Sequence, residues 1–276
     1  MIKKILKIIL ILVGVLLIAL AIFLLLQKPS HDRDWESGHD ELPYMQIEDG
    51  TITVENMRDF QWDGPFEATQ NYITDTFNLE EMDSAEVIIS HFAEFEGMAH
   101  IFLSFGFMDG RHINISLETR RESDEKFSPL LGILRQFEII YVVGTDRDLI
   151  GVRTGHRDER VYVYPVTASP EKIQELFITL SEEINDVYEK PRFYNTLLHN
   201  CTNELTRKVE KISNLNFPFT YKTFLPGFFD EVLYSMNLVS TSVPFDELKQ
   251  NALVDNNSVD ETSDTYSADV RSFFSQ

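Results

Sequence analysis

The N-terminal segment constrains this chain most strongly, because an uninterrupted apolar run extends from Ile8 to Leu26. The run carries no charge and is long enough to cross a bilayer core of ~30 Å as a helix. Lys3, Lys4 and Lys7 precede it. This lysine bias predicts that the N-terminus stays in the cytoplasm and that everything after Lys28 lies outside.

A cleaved signal peptide is the alternative interpretation of this segment. Signal peptides have a shorter apolar core followed by a small-residue site, and the stretch from Leu24 to Pro29 offers no A-x-A pattern. We therefore expect residues 1–28 to remain as a transmembrane signal anchor that contacts the bilayer through residues 5–27. The chain is then a single-pass protein of the cytoplasmic (inner) membrane, with its domain in the periplasm or outside.

Composition limits what the remaining chain can be. The net charge of −21 argues against binding nucleic acid. The single cysteine excludes a disulfide within the chain, so the fold must rest on its core, for which 43% hydrophobic residues is adequate. The polar residues 29–45 predict a linker, residues 46–250 an extracytoplasmic domain, and residues 251–276 an acidic, flexible tail with a short docking end at Val270, Phe273 and Phe274.

Sequence periodicity predicts an α+β domain with strands in the middle and helices towards the end. The predicted strands are 51–54, 87–89, 138–143, 149–153 and 160–164, together with two β-rich runs that flank Asp109-Gly110. Asp-Gly between such runs is typical of a type I′ hairpin. A helix follows Ser169-Pro170 with an apolar face that includes Ile173, Phe177 and Leu180, and another is expected over 224–238.

The only cysteine stands at the predicted start of a helix. Asn200 is a good N-cap, and Leu205, Val209 and Ile212 repeat at helical spacing behind it. Cys201 therefore falls at or near the first helical position, where free N–H groups and the helix dipole favour a thiolate. A buried cysteine with no chemical role is the alternative.

A cysteine nucleophile needs a base, and His100 is the first candidate among seven histidines because it begins an otherwise apolar strand. Centring the hairpin on Asp109-Gly110 places His100 opposite Thr119, or opposite Glu118 if the loop differs by one residue. A carboxylate across the ladder fixes the imidazole tautomer and stabilises its protonated form. Glu118 is thus the first choice as orienting residue, and His112, near the hairpin tip, is the second.

Several motifs in order resemble the Lnb N-terminal periplasmic domain family. The similarity runs from about Asp32 to the end of the chain, and it rests on 100–110, 116–122, 134–138, 194–202, Pro226-Gly227 and 266–271. The namesake enzymes act on bacterial lipoproteins, moving an acyl chain from the glycerol of the lipid-modified N-terminal cysteine onto its amine. The family is broad, and many members have no assigned activity.

A histidine followed by an Asn-Cys pair that opens a helix is also similar to circularly permuted, NlpC-type papain-like proteins, which include lecithin–retinol acyltransferase. This resemblance implies a permuted papain-like domain with an antiparallel sheet and a nucleophile-bearing helix, preceded here by one transmembrane helix. It also implies an acyl-thioester mechanism. Those acyltransferases commonly have a second histidine in the neighbouring strand, where this chain offers Glu118 or His112.

The sequence therefore predicts a membrane-anchored cysteine acyltransferase or hydrolase acting on a lipid-bearing or cell-wall substrate. Cys201 attacks a carbonyl, His100 transfers the proton, Glu118 orients His100, and the Cys201 N–H with the Asn200 side chain holds the oxyanion. We expect neither a cofactor nor a metal ion. A peptidoglycan amidase or endopeptidase and a non-catalytic envelope scaffold remain alternatives. The aromatic residues expected to line an acyl groove are Tyr194, Phe217, Phe219, Phe224, Phe228 and Phe229.

Overall fold

A computed structural model of the chain describes residues 2–272. The strands are β1 Tyr44–Glu48, β2 Thr51–Arg58, β3 Gln61–Trp62, β4 Ala68–Thr69, β5 Tyr72–Asn78, β6 Met82–His91, β7 His100–Phe107, β8 His112–Arg120, β9 Glu138–Gly144 and β10 Arg160–Pro165. The helices are α1 Ile2–Leu26, α2 Pro129–Ile133, α3 Asp146–Leu149, α4 Pro170–Glu189, α5 Cys201–Ile212, α6 Tyr221–Phe224, α7 Phe229–Ser235, α8 Phe245–Ala252 and α9 Tyr266–Asp269. The α+β prediction is confirmed.

Eight strands form the central sheet, in the order β1-β2-β9-β8-β7-β6-β10 with β5 also paired to β2. Apart from one parallel contact between β2 and β9, the neighbouring strands are antiparallel. Along β7 and β9 successive side chains enter two different cores, so the sheet is covered on both faces. Ile101 and Leu103 point into the core that contains α4 and α7, whereas Phe102 packs with Tyr266 and Val270 in the other.

The amphipathic helix predicted after Ser169 is α4, and its apolar face lies on the sheet. Phe177 is fully buried and meets Phe105 edge-to-face, with ring centroids 5.1 Å apart. Burying a side chain of this size stabilises the fold by ~2–3 kcal/mol. The single helix predicted over 224–238 is instead divided at Pro226, where a short 3₁₀ turn separates α6 from α7.

The strand predicted over 149–153 is wrong, because this segment is helical. Thr145 caps α3 through its side chain, which accepts from the N–H of Asp148, and a π-helical turn follows over Val152–His156. These residues form an apolar run because the helical turns that carry them are buried. The buried residues are Leu149, Ile150 and Val152. A short apolar run cannot by itself distinguish a strand from a buried helix.

The hairpin between β7 and β8 has a three-residue loop and is not the predicted type I′ turn. The N–H of Phe107 bonds to the carbonyl of Arg111, and only Gly110 in the loop Met108–Gly110 has a positive φ, of 83°. A type I′ turn would need positive φ at both central residues. The extra loop residue shifts the pairing to Gly106 with His112 and Leu103 with Ile115.

The segments on either side of residues 46–250 also contact the domain. Arg120, at the end of the interior strand β8, donates to the carbonyls of His39 and Asp40, so the segment before β1 packs against the end of the sheet. In the tail, Val254 bonds to the Val161 carbonyl, while Tyr266 and Val270 are buried. Phe273 and Phe274, predicted to dock, lie outside the described residues.

By length and composition, α1 is the one helix within residues 2–272 that is long and apolar enough to cross a membrane. Its mean hydropathy reaches 3.5, and none of its side chains is buried by the rest of the chain. Its 25 residues span ~38 Å at the usual helical rise, enough for the hydrocarbon core of a bilayer.

Candidate active site

Cys201 is the first residue of α5, as its neighbours predict. The Oδ1 of Asn200 accepts from the N–H of Asn203 at 2.8 Å, and the Nδ2 of Asn200 donates to the carbonyl of Thr196 at 2.8 Å. These two bonds fix the junction between the preceding loop and the helix. The N–H of Cys201 has no intrahelical acceptor at this position and can donate to a ligand. Asn200, predicted as oxyanion support, is thus already engaged as the cap.

His100 begins β7, and the observed register places it opposite Glu118 on β8. The Nε2 of His100 lies 3.1 Å from the Oε1 of Glu118 and 2.6 Å from the Oγ of Ser116. Ser116 in turn donates to the same Oε1 at 2.7 Å. Of the two registers considered from the sequence, the structure has the one that pairs His100 with Glu118, and Thr119 is excluded.

Cys201 and His100 are close enough that each shifts the pKa of the other. Nε2 of His100 is occupied by Glu118 and Ser116, so Nδ1 is the nitrogen free of these two partners. The structure therefore brings together Cys201, His100 and Glu118, the three residue types that a nucleophile, a base and an orienting carboxylate require. The side chain of His100 is 15% exposed and that of Glu118 is 26% exposed, so the group is largely screened from water.

The charges of these groups support one another. Burial alone would lower the pKa of His100, but the Glu118 carboxylate and the hydrogen bond to Cys201 outweigh it and raise the pKa to about 9. Burial alone would raise the pKa of the Cys201 thiol, but the hydrogen bond and charge of His100 hold it below its usual value. Both shifts favour a thiolate beside an imidazolium over the neutral thiol and imidazole.

Two residues of the site were missed in the sequence. Ser116 connects His100 to Glu118, and Arg153 donates to the Oε1 of Glu118 at 3.2 Å. Burial would raise the pKa of Glu118, but His100, Arg153 and Ser116 together hold it well below its ordinary value. Ser116 could have been found, because it is two residues from Glu118 on one strand face; Arg153 had been predicted in a strand.

His112, the second choice for the orienting role, is at the far end of the hairpin. It pairs with Gly106, and its Nδ1 lies 3.6 Å from the Oδ2 of Asp146. Six residues of β8 separate it from Glu118, which corresponds to ~20 Å. His112 therefore does not contact His100. His199, close to Cys201 in sequence, pairs instead with Glu204 at 2.7 Å.

The aromatic residues predicted to line an acyl groove do not form one surface. Phe229 is fully buried and stacks on Phe217, whereas Phe219 is 90% exposed. The space beneath Cys201 is a cavity of about 30 Å³ between α5 and the sheet, lined by Ile101 and Leu205 among others. It is far smaller than an ordinary ligand pocket of ~300–1,000 Å³. Within residues 2–272, no group of three or more His, Cys, Asp or Glu side chains is arranged to hold a metal ion.

The fold and the site define an α+β domain whose sheet presents a histidine and a carboxylate to a cysteine at a helix start. A family model for the Lnb N-terminal periplasmic domain matches residues 68–227, more than half of the chain, which includes Cys201, His100 and Glu118. The chain belongs to this family. Membership indicates an extracytoplasmic role related to lipoproteins, and with the single apolar helix it fits a single-pass membrane protein. No curated protein and no solved structure matches the chain.

Proposed function

We propose that this protein is an extracytoplasmic cysteine acyltransferase or hydrolase that works through an acyl-thioester on lipoprotein acyl chains. The observation that carries the proposal is the contact of Cys201 with His100, whose other nitrogen is held by Glu118. Family membership supports the lipoprotein substrate, and the lysines in the first two turns of α1 support an N-terminus in the cytoplasm of an inner-membrane protein.

The first half-reaction forms the thioester. The Sγ thiolate of Cys201 adds to the carbonyl carbon of an acyl ester, and the carbonyl electrons move onto oxygen. The N–H of Cys201 and the positive end of α5 stabilise that oxyanion. As the oxyanion collapses, the carbon–oxygen bond to the glycerol breaks, and the leaving oxygen takes the proton from Nδ1 of His100. The acyl group remains on Sγ.

The second half-reaction releases the acyl group. An amine or a water molecule adds to the thioester carbonyl while Nδ1 of His100 accepts its proton. The carbon–sulfur bond then breaks and the Cys201 thiolate re-forms beside the imidazolium. Glu118 and Ser116 hold Nε2 throughout, so the imidazole keeps one orientation for both proton transfers.

The test is intact-protein mass spectrometry of the full-length chain in phosphatidylcholine vesicles, after incubation with a synthetic diacylated lipopeptide. We expect a mass increase of one acyl group on Cys201 and the appearance of a lyso-lipopeptide product. His199→Asn is the matched control for His100→Asn, because His199 pairs with Glu204 and not with the thiol. An adduct that forms equally in His100→Asn and in the unsubstituted chain would refute the dyad. If no adduct and no lyso-product form, the transacylase proposal fails.

A further inference from the structure

The candidate active site lies at one end of the sheet. This is the end closest to the residues that follow the membrane helix α1. Arg120, two residues after Glu118, pairs with Glu138 at the start of β9. The Oε1 of Glu138 accepts from the N–H of Ser30 at 3.2 Å and lies 2.9 Å from the guanidinium of Arg33. Only a few residues separate these partners from the end of α1. The strand ends that carry His100 and Glu118 therefore face the anchor.

A second contact places the loop before Arg135 relative to the membrane helix α1. Arg135 donates from Nη1 to the carbonyl of Leu24 at 2.8 Å. Leu24 is two residues before the end of α1, so this contact lies ~3 Å inside the apolar run at the usual helical rise. Arginine near a helix end commonly reaches the headgroup level in this way. The loop that precedes Arg135 must then lie at the same level.

Two loops beside Cys201 carry unusually exposed apolar side chains. We call their surface the apolar rim, which consists of Phe127, Leu130, Leu131, Leu197 and Leu198. These side chains are between 39% and 64% exposed. The loops touch each other, since the Oγ1 of Thr196 donates to the carbonyl of Pro129 at 2.7 Å. The two loops that carry the rim side chains are thus adjacent, and Leu197 and Leu198 come four and three residues before Cys201.

Local hydrogen bonds within the two loops keep the side chains of the apolar rim exposed. The Oδ1 of Asn195 accepts from the N–H groups of Leu197 and Leu198, both at 3.0 Å, which fixes a tight turn with the two leucines outward. On the other loop, Ser128 caps α2, which presents Leu130 and Leu131. Contiguous exposed apolar surface of this kind marks an interaction site.

We infer that the apolar rim docks on the bilayer that holds α1 and inserts its side chains at headgroup level. The bilayer is the occupant that the contacts favour, because Arg135 joins the rim loop to the last turn of the membrane helix. The net charge of −21 excludes electrostatic adhesion to anionic lipid as the driving force, so burial of the rim side chains supplies it.

This inference deepens the proposed function and rests on it for one consequence: a docked rim presents Cys201 to acyl chains that stay within the membrane. The cavity beneath Cys201, of about 30 Å³, has no room for an acyl chain. The chain of a bound substrate would instead lie along the rim and continue into the bilayer. The docking itself does not depend on catalysis and can be tested alone.

The test is tryptophan quenching of the full-length chain in phosphatidylcholine vesicles with brominated acyl chains. Leu130→Trp reports on the rim, and Met108→Trp is the matched control, since Met108 is 70% exposed at the hairpin tip. β7 separates the two ends of the sheet by ~23 Å. The unsubstituted chain, with Trp35 and Trp62, supplies the background. We expect about twofold quenching of the added signal in Leu130→Trp and none in Met108→Trp.

Equal quenching of the two variants, or none in either, would overturn the inference. A Leu130→Trp signal that lipid does not quench but that is shielded from acrylamide would also overturn it, because a protein then covers the rim. Leu197→Ser separates docking from chemistry: it should lower transfer from a vesicle-bound lipopeptide severalfold, while iodoacetamide still alkylates Cys201, because the substitution adds no charge beside the thiol. Rim quenching without any acyl adduct in the unsubstituted chain would leave docking intact and refute only the transacylase.

Discussion

The hairpin of β7 and β8 carries a histidine–carboxylate pair at each end, and the two pairs differ in what surrounds them. At the anchor-facing end, Nε2 of His100 lies 3.1 Å from Glu118. At the hairpin tip, Nδ1 of His112 lies 3.6 Å from Asp146. Both histidines are largely buried. A carboxylate at ion-pairing distance is common to the two pairs, so its presence alone does not explain why the pKa of His100 is raised and that of His112 is lowered.

The third group in each pair explains the difference. Burial lowers the pKa of His112, Asp146 opposes this, and the guanidinium of Arg271 adds to it, so the pKa stays below its usual value. Arg271 bonds to Asp146 at 2.7 and 3.1 Å and compensates its charge. At the other end the third group is Cys201, which favours the protonated histidine. One end favours an imidazolium beside the Cys201 thiol, whereas at the other end the charged pair is Asp146 with Arg271, and His112 is held below its usual pKa.

The largest effect should separate the two histidines. We expect His100→Asn and Cys201→Ser to lower the rate of acyl-thioester formation by ~10³-fold or more, because they remove the base and the nucleophile. His112→Asn should leave the rate within about threefold, since ~20 Å of strand separates His112 from Glu118. Intact-protein mass spectrometry measures the rates, and circular dichroism checks that each variant is folded. A comparable loss in folded His112→Asn would contradict the assignment.

Replacing Glu118 should affect turnover, whereas replacing Asp146 should affect stability. Glu118→Gln should lower turnover by ~10²-fold with little change in stability, because an orienting carboxylate acts through the imidazolium. Asp146→Asn should instead cost ~2 kcal/mol of unfolding free energy, since it removes the nearer of the two carboxylates that pair with buried Arg271 and leaves only Glu86, at 3.5 Å. Turnover and urea unfolding of both variants test the contrast. It fails if Asp146→Asn is the variant with lost turnover at unchanged stability.

The sequence predicted the parts of the site that local rules determine. An N-cap beside Cys201 and an apolar alternation from His100 onward are visible without a structure, because capping and strand periodicity involve neighbours in the chain. The hairpin register was open by one residue, and that residue decides whether Thr119 or Glu118 faces His100. The loop with Gly110 at positive φ resolves it in favour of Glu118.

Contacts between distant segments could not be predicted in this way. Arg153 reaches Glu118 from a π-helical turn whose apolar run had indicated a strand. The apolar rim has no periodicity, and only the folded loops show that Leu130 and Leu197 remain exposed. The acyl groove could not be predicted for the same reason. The sequence does not show whether an aromatic residue such as Phe229 belongs to the core or to the surface.

The pH dependence of thiol alkylation should respond to a substitution at one end of the hairpin and not to one at the other. In the unsubstituted chain the iodoacetamide rate should rise as pH passes the lowered pKa of Cys201, and change again near pH 9 as His100 loses its proton. His100→Asn removes the charge and the hydrogen bond that lower the thiol pKa, leaving burial, which raises it. Its rate should therefore rise at a higher pH than in the unsubstituted chain. An unshifted profile would refute the thiolate–imidazolium pair, and His112→Asn is the control.

The smallest predicted effect concerns two buried serines on one face of the hairpin. Ser116 connects His100 to Glu118, whereas Ser104 accepts from Arg271 at 2.7 Å in the structural pair. Ser116→Ala should lower turnover by about threefold, the amount expected for one modest hydrogen bond, because the direct contact of 3.1 Å between His100 and Glu118 survives. It should also lower the pH near 9 at which alkylation changes, since Glu118 would then hold Nε2 without its bridging hydroxyl.

Ser104→Ala removes an equally buried hydroxyl from the other pair, so it should reduce thermal stability and leave the alkylation profile unmoved. If the two serine variants shift the profile equally, the hairpin acts as one electrostatic unit and the distinction between its ends fails.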